Sequence, residues 1–363
     1  MISLARGVPA PELLPADELA DCARAVLLTH GAEALSYGPG GGFAPLRAWV
    51  AERHGVDPAR VVLTNGSLHG FVLLAQHLVA ARGGRVLVEA PTYDRPLRLL
   101  ADLGAELVPL PLDDEGLDPE ALADALRADP AAFLYTIPTF QNPTGRTVPA
   151  GRRRRVVDLA RAHGLLVLED DPYGLVRFRG EAPPSLLELD GGERVIYSSS
   201  FSKTVAPGLR VGYLVLPPWL ATELEARAVA TYIAPALVGQ AILWEFLRRG
   251  RFEPNLERLR TLLGARRDTM VAALAAAVPD GVHFTSPEGG YFIWLELSAG
   301  ADERRVVADA REAGVATVPG ADFFPGGRST PPALRLAYSA VSPAEIEAGI
   351  ARLASLLPAF VPA

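Results

Sequence analysis

The sequence has little of three features that mark particular classes of protein. Its single cysteine, Cys22, cannot form an internal disulfide, and the start MISLARG has no apolar run behind a basic segment, so we expect a cytoplasmic protein. Its apolar runs, such as the one within 165–169, are far shorter than the roughly 20 residues that span a bilayer. Acidic residues outnumber basic ones, 42 to 35, which argues against a nucleic-acid face or an anionic membrane surface as partner. We therefore expect a small-molecule ligand.

Lysine is almost absent from the sequence. Among 35 basic residues only Lys203 is a lysine, and the others are arginines. Because a lysine can lose its proton and an arginine cannot, a chain that keeps one lysine is expected to need an amine there. Lys203 follows a predicted strand and can form an imine with an aldehyde cofactor, while Ser200, Ser202 and Arg210 offer donors to that cofactor's phosphate. The alternative is a solvated surface loop.

The length and the hydrophobic pattern predict two domains. A chain of 363 residues, 49% of them hydrophobic, exceeds one typical core. From about residue 60 to 216, short β-branched runs alternate with helical stretches, which predicts an α/β domain with a mostly parallel sheet and helices on both faces. Long helices and a few strands follow, and they predict a smaller α+β domain. We expect residues 1–35 to pack on the small domain, 36–250 to form the large cofactor-binding domain and 251–363 the small domain.

Two further segments follow predicted strands, at the positions where ligands bind in such sheets. In LLVLEDDPYG (165–174), Asp170 can keep a pyridine nitrogen protonated, and the Tyr173 hydroxyl can donate to a ring phenolate oxygen. A helix N-cap or a metal site is the alternative, although a metal would need more ligands than the sequence shows. In TFQNPTG, Asn142 can bind the same phenolate oxygen, or the segment is an ordinary turn.

These segments resemble a known family. Asn142 to Gly145, Asp170 to Tyr173 and Ser200 to Lys203 with Arg210, in that order, look like the signature of the fold-type I pyridoxal-phosphate aminotransferases (class I/II), and the resemblance covers nearly the whole chain. Within this family, the chain is similar to the branch of 2-aminoadipate and kynurenine aminotransferases and of aminotransferase-like domains in bacterial regulators. The segments that carry this similarity are ISLARGVPAPELLP, SYGPGGGFAPLR and EAPTYDR. The resemblance implies pyridoxal 5′-phosphate (PLP) as cofactor, an amino acid and a 2-oxo acid as substrates, and a homodimer with shared active sites.

The resemblance also implies a role for individual residues. Lys203 resembles the Schiff-base lysine, Asp170 the partner of the pyridine nitrogen, and Arg335 in LRLAYS the arginine that binds the substrate α-carboxylate. Without the resemblance, Arg335 would be assigned to an edge strand facing outward, and the tyrosines at 37 and 93 to ordinary packing. The remaining implied contacts are Tyr173 and Asn142 on the phenolate oxygen, Tyr93 stacked on the ring, Ser200, Ser202, Arg210 and the backbone N–H groups of Ser67 and Leu68 on the phosphate, and Tyr37 on the phosphate of the neighbouring subunit.

The sequence departs from that family at three places. Relatives usually carry glutamines after Gly-Ser in the phosphate loop, whereas this chain reads Gly66-Ser67-Leu68-His69, so one side-chain donor is lost. Relatives also usually have a leader before the motif that starts this chain, so we expect a more open pocket. The glycine pair expected beside the substrate carboxylate reads Ala5-Arg6-Gly7. Arg6 and Gly7 are therefore candidate substrate contacts, with Arg6 alternatively pointing to solvent.

The expected activity is transamination, with Lys203 acting as the general base at the substrate Cα. Racemisation, elimination, decarboxylation and cyclisation share its first steps, so another PLP enzyme of the same fold is an alternative. A non-catalytic ligand-sensing domain of a regulator is a second alternative, which the sequence disfavours because it shows no winged-helix segment ahead of residue 1 and no basic reading helix.

Overall fold

The structure, a computed structural model, describes residues 1–360. The strands are β1 (Ile2–Ser3), β2 (Val61–Thr64), β3 (Arg85–Ala90), β4 (Glu106–Asp113), β5 (Gly116–Leu117), β6 (Phe133–Thr136), β7 (Leu166–Asp170), β8 (Val195–Ser200), β9 (Gly212–Val215), β10 (His283–Phe284), β11 (Phe292–Glu296), β12 (Val315–Ala316), β13 (Val318–Pro319) and β14 (Ala333–Ala337). The helices are α1 (Ala16–Thr29), α2 (Gly31–Ala34), α3 (Ala44–His54), α4 (Ser67–Arg82), α5 (Asp94–Asp102), α6 (Pro119–Ala128), α7 (Ala150–His163), α8 (Leu186–Asp190), α9 (Pro218–Tyr232), α10 (Leu237–Arg248), α11 (Phe252–Ala277), α12 (Glu303–Glu312) and α13 (Pro343–Leu356).

The large sheet has the strand order β2-β9-β8-β7-β6-β3-β4-β5. Its central strands, from β4 through β3, β6 and β7 to β8, are parallel, and the pairs toward its two edges are antiparallel. Alternate side chains of its strands enter two separate cores, one with α4, α5 and α9 and the other with α3, α6, α7, α8 and α10. Such burial on both faces explains why the strands read as continuous apolar runs. The predicted α/β class with a mostly parallel sheet is confirmed.

The small sheet is antiparallel and has the order β10-β11-β14-β13. Residues of α11, α12 and α13 cover it and form a third core. Helix α11 is 26 residues long and joins the two parts of the molecule. Its first turns, with Phe252 and Leu256, lie in a core of the large sheet, and Met270 and Leu274 lie in the core of the small sheet.

The N-terminal segment divides between the two parts, whereas we expected all of residues 1–35 on the small one. Strand β1 pairs in parallel with β12, and Leu4 is buried in the core of the small sheet. Helix α1 lies instead against α10, because its buried positions Cys22 and Val26 complete a core of the large sheet. Between β1 and α1, residues 5–8 pass along the opening of a cavity at the carboxyl edge of the large sheet.

Candidate active site

One cavity, of about 580 Å³, brings together residues at or after the ends of five strands of the large sheet, one residue each of β11 and β14, and the N-terminal segment. This is the edge at which ligands bind in open α/β sheets, because the strands end there and side chains from separate loops converge. Of the predicted site residues, those that line it are Arg6, Gly7, Ser67, Leu68, Tyr93, Asn142, Asp170, Tyr173, Ser200, Ser202, Lys203, Arg210 and Arg335.

Lys203 lies in the turn directly after β8. Its Nζ donates a hydrogen bond to the Gly7 carbonyl oxygen at 2.6 Å, and the Tyr291 hydroxyl donates to the Lys203 carbonyl oxygen at 2.9 Å. Burial lowers the pKa of the Lys203 amine from 10.5 to about 8, and the positive charges of Arg335 and Arg210 act in the same direction. About a tenth of the amine is therefore neutral, and hence nucleophilic, at pH 7, far more than at the ordinary lysine pKa.

Asp170 is the last residue of β7 and has one carboxylate oxygen without a partner. Its Oδ2 accepts a hydrogen bond from the Tyr135 hydroxyl at 2.8 Å, while its Oδ1 is buried and unpaired. Burial raises the pKa of Asp170 to about 7, against the lowering effect of the Tyr135 hydrogen bond. A buried, unpaired carboxylate oxygen is costly unless a donor faces it, so this atom fits the protonated ring nitrogen of a pyridine cofactor.

Both carboxylate oxygens of the neighbouring Asp171 accept hydrogen bonds from other groups of the protein. Its Oδ2 accepts from the Tyr197 hydroxyl at 2.8 Å and its Oδ1 from the Gly174 N–H at 2.7 Å. The third acid of the segment, Glu169, faces the other side of the sheet, where the N–H groups of Leu186 and Leu187 donate to it. Among these three acids, Asp170 is therefore the one with an oxygen available to a ligand.

The residues predicted to hold a phosphate surround the start of α4. The backbone N–H groups of Ser67 and Leu68 lie in the first turn of this 16-residue helix, where the helix dipole favours an anion. Arg210, in the left-handed region at φ 52°, lies beside this turn, and a Cβ built on Gly66 would collide with its guanidinium group. The Ser200 hydroxyl donates to the Ser202 hydroxyl at 2.8 Å. These donors fit a phosphate, and the missing side chain of Gly66 leaves room for the Arg210 guanidinium beside them.

Arg335 enters the cavity from β14 in the small sheet. Its Nη1 donates to Asn142 Oδ1 at 2.9 Å and its Nη2 to the Ala5 carbonyl oxygen at 2.8 Å, while its Nε is buried without a partner. Its guanidinium carbon lies 4.3 Å from the centre of the Phe292 ring. A guanidinium held from several sides with an unused donor is suited to a carboxylate.

The two remaining aromatic candidates of the cavity differ in burial. The Tyr173 ring is buried, with its centre 5.8 Å from Lys203 Nζ, and burial raises the pKa of its hydroxyl well above 10, so that the hydroxyl stays a donor. Tyr93 is half-buried at the start of α5. Both tyrosines line the cavity together with Lys203 and Asp170.

The structure does not bring Tyr37 to the cavity of its own chain. The side chain of Tyr37 is 84% exposed, and the nearby Leu35 is 71% exposed. Within one chain, therefore, nothing connects Tyr37 to the other site residues, and its predicted role depends on a second subunit.

Sequence reasoning missed several residues of the site, above all Tyr135 and Phe292. Tyr135 lies in β6, opposite Leu168 in the parallel pairing with β7, which brings its hydroxyl to Asp170. Phe292 supports Arg335 and packs directly against Gly7. No local signal marks either residue, because each contact depends on the pairing of segments far apart in the chain. Within residues 1–360, no group of three or more His, Cys, Asp and Glu side chains is arranged to hold a metal ion.

Comparison with known proteins agrees with this geometry. Residues 2–353 match the family model of the class I and II aminotransferases, and the chain belongs to this family. It is 38% identical to the 2-aminoadipate transaminase of Thermus thermophilus over 98% of this chain and 90% of that one, and 36% identical to an aromatic-amino-acid aminotransferase of Thermococcus litoralis over 98% and 88%.

A solved structure gives the same assignment. The α-aminoadipate aminotransferase of Thermus thermophilus, complexed with N-(5′-phosphopyridoxyl)-L-leucine, superimposes with a TM-score of 0.94 at 37% identity, over 99% of this chain and 92% of that one. The protein is a PLP-dependent aminotransferase of fold type I, and its substrates are an amino acid and a 2-oxo acid.

Proposed function

We propose that the cavity around Lys203 is the site at which this enzyme moves an amino group between an L-amino acid and a 2-oxo acid. The observation that carries the proposal is the convergence of a lysine amine of lowered pKa, the unpaired Asp170 Oδ1 and the Arg335 guanidinium in one cavity. When bound there, PLP supplies an aldehyde for amines and a protonated ring that accepts the electron pair left at the substrate Cα.

Individual side chains of the cavity are assigned the roles of holding the cofactor ring, binding the substrate and moving the Cα proton. Asp170 keeps the ring nitrogen protonated through its free Oδ1, and Arg335 binds the substrate α-carboxylate and so fixes the direction of the Cα–H bond. Lys203 binds the cofactor in the resting enzyme and, once free, removes the Cα proton as a neutral amine. Tyr173 and Asn142 would donate to the phenolate oxygen of the bound cofactor, and Tyr93 would stack on its ring.

The cofactor phosphate is proposed to bind at the start of α4. Arg210 supplies the charge, the N–H groups of Ser67 and Leu68 supply backbone donors, and Ser200 and Ser202 supply hydroxyls. These groups would hold the cofactor by its phosphate, at the end of the molecule away from the aldehyde that reacts with Lys203.

We further propose that the enzyme is a homodimer in which Tyr37 reaches the phosphate of the partner subunit. Support comes from the loop that carries Tyr37, which packs firmly on its own chain, with Gly38 against Leu237 and Gly40 against Val229, and yet leaves Tyr37 exposed. An exposed aromatic on a well-packed loop is expected to be covered in an assembly.

The division into residues 36–250 as the cofactor domain and 251–363 as the small domain is likewise a proposal, supported by the separate sheets. A cytoplasmic location is proposed from the one buried, unpaired thiol of Cys22. In residues 1–360, no helix is sufficiently long and apolar to cross a bilayer. The names of the relatives point to 2-aminoadipate and aromatic amino acids as donors to test first.

The proposed activity is tested by incubating the PLP-loaded enzyme with single amino acids in the absence of an acceptor. Transamination converts the cofactor absorption to that of pyridoxamine phosphate and releases one equivalent of 2-oxo acid. Loss of optical activity without 2-oxo acid would indicate a racemase, and loss of CO₂ or of a side-chain group would indicate a lyase. Binding of amino acids without any chemical change would indicate a ligand-sensing domain.

A further inference from the structure

The N-terminal segment contacts both residues that define the position of the substrate Cα. The carbonyl oxygen of Ala5 accepts a hydrogen bond from Arg335 Nη2 at 2.8 Å, and the carbonyl oxygen of Gly7 accepts one from Lys203 Nζ at 2.6 Å. The residue between these two carbonyls is Arg6. Its backbone is therefore fixed between the group assigned to the α-carboxylate and the amine assigned to the Cα proton.

Arg6 is the one long side chain of this segment that lines the cavity. Position 7 must be glycine, because a Cβ there would collide with the Phe292 ring, and position 5 carries only a methyl group. An arginine side chain has the length to reach the far end of a short amino-acid side chain held between Arg335 and Lys203. Arg6 is exposed at the opening of the cavity, where it also lines a neighbouring surface cleft, so it places a cationic group at that opening.

The charges of the cavity leave Arg6 without a counterion. The cavity is lined by four arginines, Lys203 and two carboxylates, Asp94 and Asp170. Asp94 pairs with arginines of its own helix, at 3.3 Å to Arg98 and 3.8 Å to Arg95, and Asp170 is assigned to the ring nitrogen. The phosphate accounts for Arg210 and the α-carboxylate for Arg335. Within residues 1–360, no carboxylate lies within 4 Å of the Arg6 guanidinium.

We propose that Arg6 is a specificity-determining residue that binds the side-chain carboxylate of a dicarboxylic amino acid or 2-oxo acid. The inference deepens the proposed function and rests on it, since it takes the cavity as the place where the substrate binds. A second carboxylate on the substrate would supply the anion that the protein does not provide for Arg6, and the ion pair would be a charge-assisted hydrogen bond of the kind that arginine forms with both oxygens.

The test compares glutamate with glutamine as amino donors, because the two differ in charge but hardly in size. In Arg6→Gln and Arg6→Gly, kcat/KM for glutamate should fall about 10- to 100-fold, the effect of one hydrogen bond to a charged group, while the value for glutamine stays within about 3-fold. The matched control is Arg311→Gln. Arg311 lines a neighbouring surface cleft together with Arg6 but lies outside the active cavity, so its loss should leave the preference for glutamate unchanged.

A binding measurement separates this inference from the proposed function. The PLP-loaded enzyme is titrated by calorimetry with glutarate and with pentanoate, which have the same number of carbons and two or one carboxylates. Wild-type protein should bind glutarate more tightly, and Arg6→Gln should lose that preference. Equal losses for glutamate and glutamine, or a glutarate preference that survives in Arg6→Gln, would overturn the role of Arg6. Absence of transamination with every donor would instead overturn the proposed function, and the glutarate titration would still decide the role of Arg6.

Discussion

The Asp170→Asn substitution keeps the size of the side chain and removes its charge. In the structure, Tyr135 already donates to Oδ2, and the free Oδ1 is the atom that would face the ring nitrogen. An amide at this position offers either an oxygen that is a weak acceptor or an N–H group that repels a protonated nitrogen. The ring nitrogen should therefore lose its proton, and the ring its capacity to accept electrons from Cα.

The size of the effect follows from the burial of the pair. Asp170 has a pKa of about 7 when no cation faces it, so an opposing ring cation is what stabilises the ionised form. Removing one partner of a buried ion pair costs about 3–5 kcal/mol. If this interaction is made mainly in the transition state, kcat should fall by about 10²- to 10⁴-fold. Cofactor affinity should change far less, because the phosphate donors around Ser67 and Arg210 are untouched.

The assay measures kcat and kcat/KM for transamination, with cofactor occupancy determined from absorbance and corrected for. Asp171→Asn is the matched control. It disturbs the acceptors of the Tyr197 hydroxyl and the Gly174 N–H, so we expect it to reduce stability by about 1–3 kcal/mol and to leave turnover per occupied site much nearer to wild type. Turnover of Asp170→Asn within tenfold of wild type would show that Asp170 does not hold the ring nitrogen.

Three further outcomes are expected. The rate of PLP capture should rise about tenfold per pH unit up to about pH 8 and then level off, because the lowered pKa of Lys203 sets the neutral fraction of its amine. Borohydride should trap the cofactor on this one lysine. A flat pH profile or an unlabelled Lys203 peptide would contradict the assignment. Lys203→Ala and Tyr37→Phe chains, mixed, should exceed the sum of their separate activities, since one site of the mixed dimer is intact; an active monomer in light scattering refutes shared sites. Arg335→Gln should lower kcat/KM about 10- to 100-fold for all donors without loss of cofactor, and an effect confined to acidic donors would count against its α-carboxylate role.

The sequence alone determined the elements that carry the site. The alternation of β-branched runs with helical stretches predicted the strands from β2 to β9 except the two-residue β5, because a strand covered on both faces is marked by a local apolar run. Because Lys203 is the only lysine, the sequence identified it as the candidate that binds the cofactor. The order of the three motifs around Asn142, Asp170 and Lys203 identified the family and hence PLP as cofactor. These conclusions rest on features that lie within short segments of the chain, so they needed no knowledge of packing.

Tertiary structure decided which atoms of the site are available. It showed that Glu169 and Asp171 are satisfied by the protein while Asp170 keeps a free oxygen, a distinction that depends on strand register and on Tyr135 in a neighbouring strand. It also placed α1 on the large sheet. It fixed the backbone of Arg6 between two contacts, one from Ala5 to Arg335, which is 330 residues away in sequence, and one from Gly7 to Lys203, which is 196 residues away. Contacts over such separations arise from the packing of complete elements, and no local pattern encodes them.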